Sequence, residues 1–229
     1  MKNIKFIKTR NVKSPQRANP GDAGIDFYIP YPSLDFIDDF VSKNRGHEYE
    51  FVIEATYNDA AELYRMTIES DIDVNDLNEH GITIGTQILG YFIERFGLFE
   101  EENVDDVTIS HIAIVIPPHE RILIPSGIKV WIEPKDSALI ATNKSGVATK
   151  KGLVVGATTV DSEYTGEVHL SLINTNNYYI GVECGDKIVQ FIHTPVILSQ
   201  MTEITENEYN EISSNSSRGS GGFGSTGTR

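Results

Sequence analysis

Short runs of β-branched and alternating residues dominate the sequence from His111 to about Pro195. They are separated by turn signals such as PP, PSG, NTNN and CGD. The runs read HIAIVI, RILI, IKVWIE, SALIAT, GLVV, EVHLSLI, YYIGVE and KIVQFI. Two further strands are indicated near the start, at Ile4 to Ile7 and Ile25 to Ile29. This pattern predicts one all-β domain, folded as an antiparallel sandwich, jelly roll or barrel.

Residues 33–108 follow a different pattern, in which apolar side chains recur at helical spacing. One predicted helix starts after Asn58 or Asp59, and a short one runs from Asp73 to His80 before Gly81. The positions expected on the buried faces of the two main helices are Ala60, Leu63, Tyr64 and Thr67 in the first, and Ile84, Ile88, Phe92 and Phe96 in the second. The segment is therefore predicted to be a mainly helical insertion between two parts of the β domain, residues 1–32 and 109–212.

Residues 213–229 are rich in Ser, Gly and Thr, which predicts a flexible arm. The stretch RGSGGFGSTG, Arg218 to Gly227, contains G-x-G-x-x-G, but the chain ends too soon for the βα unit of a dinucleotide site. What remains is one cation, one aromatic ring and two hydroxyls on a glycine-rich backbone. Those are the components of a nucleotide lid, with a base stacked on Phe223 and phosphates held by Arg218, Ser225 and Thr226.

Composition and charge exclude several classes of function. The chain has 229 residues and a formal net charge of −14, so a duplex DNA partner is disfavoured and no nucleic acid is expected. No apolar run approaches the roughly 18 residues that a membrane helix needs. The single cysteine, Cys184, cannot form an internal disulfide, and the start MKNIKFIKTR has no export signal, so a cytoplasmic protein is expected.

Four segments of the β-rich regions carry groups that suit phosphate chemistry. Lys144-Ser145-Gly146 offers an ammonium, a hydroxyl and a permissive backbone, and Gln190 offers a neutral amide donor. Asp161 ends an apolar run and could deprotonate a water, while Asp26 could reach a hydrated metal. Each segment taken alone is also compatible with an ordinary surface turn.

Together and in this order, these segments resemble the five motifs of the trimeric dUTPase family. The resemblance covers residues 1–32 and 109–229. The matching stretches are AGID at 23–26, KSG at 144–146, VDSEYTGE at 160–167, GDKIVQ at 185–190, and RGSGGFGSTG at 218–227.

The resemblance implies a distorted jelly-roll or β-clip barrel, assembled as a homotrimer that hydrolyses dUTP to dUMP and pyrophosphate with Mg²⁺. Asp161 would be the general base, and Tyr164 would pack on the deoxyribose. Asp26 would reach the Mg²⁺ through water, the metal being held mainly by the triphosphate. The other substrate-binding residues implied are Lys144, Ser145, Gly146 and Gln190 for phosphates, Thr158 and His169 near uracil, and Arg218, Phe223, Gly224, Ser225 and Thr226 in the arm.

Three features depart from the family pattern, and two alternatives remain. Lys144 stands where the family usually has Arg, which removes bidentate phosphate contact, and Thr158-Thr159 replaces a Gly-hydrophobic pair. The insertion at 33–108 has no counterpart in the common form of the family. One alternative is a dCTP deaminase-type or bifunctional enzyme of the same fold, although the lone cysteine excludes zinc deamination. The other is a nucleotide-gated regulatory protein that binds a protein partner through residues 33–108.

Overall fold

The computed structural model describes residues 3–57, 63–69, 88, 90, 91, 107–217, 219 and 220. Contacts divide the chain into two compact units, Met1–Val196 and Ile197–Arg229. The predicted boundary between β domain and arm, at 212/213, therefore differs from the division that the contacts give.

The first unit is built mainly from β-strands. A ten-residue helix, α1 (Leu34–Lys43), and a π-helical turn, Val147–Lys151, interrupt them. The strands are β1 (Asn3–Lys8), β2 (Ile25–Tyr28), β3 (Glu50–Tyr57), β4 (Leu63–Glu69), β5 (Val107–Ile116), β6 (Arg121–Glu133), β7 (Ser137–Asn143), β8 (Leu153–Val155), β9 (Thr159–Asp161), β10 (Glu167–Asn174), β11 (Ile180–Glu183) and β12 (Lys187–Pro195).

These strands form three four-stranded sheets, and their pairings are antiparallel. The orders are β1-β6-β10-β8, β11-β5-β3-β4 and β2-β12-β7-β9. The alternation that predicted the strands also builds the core: in β10, Val168, Leu170 and Leu172 are buried while the residues between them are less so. The predicted all-β fold is confirmed.

The PSG stretch at Pro125 to Gly127 was predicted to be a turn, and that prediction is wrong. β6 runs straight through it, from Arg121 to Glu133. The register with β10 shifts there, from Lys129 opposite Glu167 to Pro125 opposite His169. A bulge therefore absorbs the extra residues, and Gly127 supplies the left-handed conformation it needs, with φ +69°.

The helix α1 was not predicted as an element, although its signals are present in the sequence. Ser33 caps its start by accepting a hydrogen bond from the Phe36 amide, at 3.2 Å. Phe36, Ile37, Phe40 and Val41 form one apolar face, and all four are buried in the same cluster as the strands. The helix thus completes the core.

The predicted helix through Leu63, Tyr64 and Thr67 is wrong, because Leu63–Glu69 is strand β4. β4 pairs with β3 from Thr56↔Leu63 to Glu50↔Glu69, and β3 pairs in turn with β5. Backbone pairing on a sheet that already exists outweighs a weak helical spacing. Strands β3 and β4 therefore extend the sheet of β5 and β11, and the segment 33–108 is only partly helical in its described residues.

The second predicted helix, Ile84 to Phe96, falls mostly outside the described residues. Ile88, Gly90 and Tyr91 are helical, and Ile88 is buried in the core cluster. The predicted short helix from Asp73 to His80 lies wholly outside the described residues.

The second unit contains one described helix, α2 (Glu206–Ser213). Thr205 and Glu208 form a reciprocal capping box: the Thr205 hydroxyl accepts from the Glu208 amide, and the Glu208 carboxylate accepts from the Thr205 amide. Neither α1 nor α2, nor the helical residues 88, 90 and 91, has the length and apolarity of a membrane span in the described part of the chain.

Asn44, at the C-terminal end of α1, takes the place of a neighbouring strand beside β6. β1 pairs with β6 only between Ile128 and Glu133. At Leu123, the buried side chain of Asn44 accepts a hydrogen bond from the backbone amide at 2.7 Å and donates one to the backbone carbonyl at 2.8 Å. The amide also donates to the Phe40 carbonyl and so ties the helix end to the sheet.

Replacing Asn44 by Leu is expected to lower the free energy of unfolding by about 2–5 kcal/mol, because both backbone groups of Leu123 lose their partner in a buried place. Denaturant unfolding monitored by circular dichroism measures this. The matched control, Lys43→Ala at the exposed neighbouring position, should change the value by less than about 0.5 kcal/mol. Equal effects of the two substitutions would contradict the role given to Asn44.

Candidate active site

Asp161 lies at the end of β9, where the chain turns towards β10. It pairs with Ala138 of β7, and its carbonyl accepts a hydrogen bond from the Tyr164 amide at 3.1 Å, which closes the turn. Ser162 ties the turn to the Lys135 carbonyl at 2.8 Å. The Asp161 side chain is exposed, and the pairing of its backbone with β7 fixes its position.

Tyr164 is held across the turn by Gly166 and Glu167. Its hydroxyl donates to the Glu167 carbonyl at 2.9 Å. A Cβ atom on Gly166 would come within 2.4 Å of the hydroxyl oxygen and 2.5 Å of the ring. Glycine is therefore required here for the ring to lie in this position.

Asp161 and Tyr164 line one cavity of about 180 Å³ together with Thr158 and His169. The sequence predicted all four as site residues, and the fold brings them together. The remaining lining is largely apolar and comprises Leu123, Ala157, Thr159, Val160, Val168 and Phe191. A mainly apolar cavity with a few convergent polar groups is the usual form of a small-molecule site.

His169 enters this cavity as a neutral ring with a fixed tautomer. Its Nδ1 lies 2.8 Å from the Glu167 carbonyl, which can only accept, so Nδ1 carries the proton. Burial lowers the pKa of His169 below its usual 6.5, and this outweighs the opposing effect of the Glu167 hydrogen bond. Nε2 is buried and has no hydrogen-bond partner among the described residues.

A second group of polar residues surrounds Asp26 on β2. The Asp26 side chain is 5% exposed, and its two oxygens form ion pairs with the ammonium groups of Lys144 and Lys187, the latter at 3.3 Å. One carboxylate thus faces two cations, which leaves the cluster with a net charge of about +1. A positive site in a protein of net charge −14 suits an anionic ligand.

Gln190 on β12 lies directly opposite Asp26 in the sheet. Its amide donates to the Asn143 carbonyl at 2.9 Å. The amide fills the space beside Gly24, where a Cβ atom would come within 2.2 Å of Oε1. Ser145 and Gly146 follow Lys144 where β7 leads into the turn Val147–Lys151. The four residues Lys144, Ser145, Gly146 and Gln190, predicted to bind phosphates, therefore lie around one cluster.

The two groups lie apart on the same sheet. Asp161 is opposite Ala138, and Gln190 is opposite Thr142, four residues further along β7. This corresponds to roughly 14 Å along the strand and roughly 10 Å across it. One chain therefore does not bring Asp161 and the Asp26 cluster to the same atom of a ligand.

Lys187 belongs to this site and was not singled out from the sequence. It stands three residues before Gln190, and strand alternation would place the two side chains on opposite faces. A register shift in β12 between Lys187 and Val189 removes that alternation. The sequence indicated a role for Lys187 only through its position inside the stretch GDKIVQ. The arm residues Arg218, Phe223, Gly224, Ser225 and Thr226 lie outside the described residues.

The described residues offer no ready-made protein cage for a metal ion. Across residues 3–57, 63–69, 107–217 and the few described between and after them, His, Cys, Asp and Glu do not gather in a group of three or more. Asp26 is a single carboxylate, already paired with two lysines. Such a site fits a cation that a ligand brings with it and that keeps its waters.

Comparison with known proteins identifies the family of this chain. A profile described as dUTPase matches residues 106–227, which is more than half of the chain. The chain belongs to the dUTPase family. The deoxyuridine 5'-triphosphate nucleotidohydrolase of Shewanella piezotolerans is 32% identical over 119 residues, covering 51% of this chain and 76% of that relative. The Wolbachia pipientis enzyme of the same name is 40% identical over 86 residues, covering 37% of this chain and 56% of the relative.

Solved dUTPase structures share the fold. A mutant dUTPase of Staphylococcus bacteriophage 80alpha, solved with dUpNHpp, aligns over 99% of both chains with a TM-score of 0.56 and 16% identity. The predictions of the dUTPase family, an all-β dUTPase-like fold and an enzyme that hydrolyses dUTP are confirmed. The roles of individual residues stay predictions.

Replacing Gly24 by Ala should displace the Gln190 amide without unfolding the chain, because the clash falls on the end of a flexible side chain. We expect a non-hydrolysable dUTP analogue to bind about tenfold more weakly, as for one lost hydrogen bond to a charged group. Calorimetric titration measures the affinity. Gly21→Ala is the matched control, since nothing lies within 4 Å of its Cβ position. Unchanged affinity in Gly24→Ala would contradict the placement of Gln190 in the site.

Proposed function

We propose that this chain cleaves dUTP to dUMP and pyrophosphate, with Asp161 deprotonating the water that attacks the α-phosphorus. The observation that carries the proposal is the shared cavity of Asp161, Tyr164, Thr158 and His169 in a member of the dUTPase family. A carboxylate held by a sheet can orient a water and accept its proton while that water attacks.

Tyr164 distinguishes the sugar. Its ring packs on the deoxyribose and leaves no room for a 2′-hydroxyl. The fixed position of the ring across Gly166 supports this role, because a mobile ring would exclude nothing. Uracil lies deeper in the cavity, near Thr158 and His169.

The phosphates bind at the cluster around Asp26. Lys144 and Lys187 supply ammonium groups, and Gln190, Ser145 and Gly146 supply neutral donors. In the arm, Phe223 covers the uracil and Gly224 permits close backbone approach, while Arg218, Ser225 and Thr226 hold the γ-phosphate end. The roles in the arm rest on the match of RGSGGFGSTG to the family.

Asp26 would reach Mg²⁺ through water, while the triphosphate itself would hold most of the metal. The ion would offset the charge of about −4 that the triphosphate brings to an acidic protein. Positioning and electrostatics carry the catalysis, as in other phosphoryl transfers.

The enzyme works as a homotrimer, and each site is built between subunits. Two features support this. The Asp161 cavity and the Asp26 cluster are too far apart on one sheet to act on one phosphate, which favours a site that a second subunit completes. On β1 and β6, the apolar side chains of Phe6, Ile7 and Trp131 are also exposed together around one surface cavity.

A cytoplasmic location fits the single cysteine. Burial raises the pKa of the Cys184 thiol to about 12, so it stays an unreactive thiol. The alternative of a regulatory protein that binds a partner through residues 33–108 was based on two amphipathic helices in that segment. Residues Leu63–Glu69 of the first helix form strand β4 instead.

Asp161→Asn should lower kcat for dUTP by about a hundredfold to ten-thousandfold, because the amide cannot accept the proton of the water. Pyrophosphate release is measured with dUTP, UTP, dTTP and dCTP, with Mg²⁺ and with a chelator. Glu163→Gln, an exposed carboxylate of the same turn paired only with Lys135 at the surface, should change kcat by less than about twofold. Activity of Asp161→Asn comparable to that of the wild type would refute the mechanism. Ammonia release from dCTP would favour the deaminase alternative.

A shared site predicts complementation between two inactive variants. Co-expressed Asp161→Asn and Lys144→Met subunits should recover activity in about one quarter of the sites, since half of the subunits at random supply each intact half. Activity per trimer is compared with that of each variant alone. A mixture no more active than its components would show that each subunit carries its own complete site.

A further inference from the structure

Glu167 is a junction between the substrate cavity and the rest of the fold. Its backbone carbonyl accepts hydrogen bonds from the Tyr164 hydroxyl and from His169 Nδ1, and both residues line the cavity. Its side chain is 12% exposed. One carboxylate oxygen accepts from the Gly127 amide at 2.8 Å, and the other accepts from the Thr9 hydroxyl at 2.8 Å.

Arg10 connects this junction to the helix α1. Its Nε lies 3.4 Å from the Glu167 carboxylate, and its Nη2 forms an ion pair with Asp39 of α1. The Arg10 and Glu167 side chains are largely shielded from solvent, so screening by water is limited. Asp39, Arg10 and Glu167 therefore form a continuous chain of charged contacts.

Two further observations bring α1 close to the cavity wall. Asn44 at the end of the helix brackets the backbone of Leu123, a residue that lines the cavity. The charges of Asp39 and Lys43 also reach His169: Asp39 raises its pKa and Lys43 lowers it, both less than burial does. The end of α1 thus contacts the cavity wall at Leu123, and its charges act on His169, while none of its residues lines the cavity.

We propose that α1 sets the sugar selectivity of the enzyme by positioning Tyr164 through the chain Asp39–Arg10–Glu167. The proposal rests on the proposed function and extends it to residues outside the cavity. The Glu167 backbone cannot move without disturbing the contacts of its side chain with Thr9, Arg10 and Gly127, and the Tyr164 hydroxyl is bonded to that backbone. Gly166 has no side chain that could hold the Tyr164 ring. The ring is therefore held by this hydrogen bond and by the contacts Asp39–Arg10–Glu167 that support it.

Asp39, Arg10 and Glu167 are positioning residues, and their effect is specific to the choice between deoxyribose and ribose. Removing one loosens Tyr164, which touches the sugar, but leaves Asp161 on its strand. Deoxyribose and ribose substrates should then become more alike in kcat/KM, with the KM for dUTP raised and kcat little changed. A purely structural role would lower Tm and leave the ratio of the two substrates as it is.

The test compares kcat/KM for dUTP and UTP in full-length Asp39→Asn and Arg10→Met, at a temperature well below the Tm of every variant. We expect the dUTP-to-UTP ratio to fall about threefold to tenfold, the effect of one weakened hydrogen bond. Tyr164→Phe should change it in the same direction. Asp35→Asn is the control, since Asp35 is an exposed carboxylate on the first turn of the same helix and should leave the ratio unchanged.

Two further variants separate positioning from general damage. Asp39→Glu keeps the charge and should restore most of the ratio. The double variant Arg10→Met/Asp39→Asn should lose no more than Arg10→Met alone, because Asp39 acts through Arg10. An unchanged ratio in Asp39→Asn and Arg10→Met, with the ratio altered in Tyr164→Phe, would overturn the inference. A wild-type protein that does not cleave dUTP would instead refute the proposed function.

Discussion

The pairing of β7 with both β9 and β12 determines where the chemical groups of this protein lie. It fixes Asp161 at one end of the sheet and Gln190, with Asp26 beside it, towards the other. A hydrogen-bonded sheet does not stretch, so no side-chain motion closes a gap of roughly 17 Å between the Cα atoms of Asp161 and Gln190. In the proposed trimer each chain presents two half-sites, and that proposal couples substrate binding to subunit assembly.

The sequence predicted the β-rich fold and the chemical groups, because both depend on residue type and local alternation. Asp161, Tyr164, Thr158 and His169 share a cavity as expected. The register of the strands was not predictable, since it depends on bulges whose energy involves distant partners. The shift in β12 makes Lys187 a partner of Asp26, and the bulge in β6 directs the Gly127 amide towards Glu167.

The segment after Pro32 shows how an ambiguous pattern is resolved by its surroundings. Leu63, Tyr64 and Thr67 fit a helical face, yet Tyr64, Met66 and Ile68 fit a strand equally well. The exposed edge of β3 decides between them, because an unpaired edge gains a full ladder of hydrogen bonds from β4. In α1, the acidic residue Asp35 lies on the exposed side of a helix whose other face holds Phe36 and Phe40 in the core.

Lys144 lacks the bidentate geometry of arginine, but a second ammonium group, that of Lys187, pairs with the same Asp26 carboxylate. Two ammonium groups held near each other repel by about 4 kcal/mol at 4 Å and an effective dielectric of 20. Asp26, buried between Lys144 and Lys187, opposes that repulsion and keeps both cations at one place. The buried carboxylate thus holds together two point charges that stand on separate side chains.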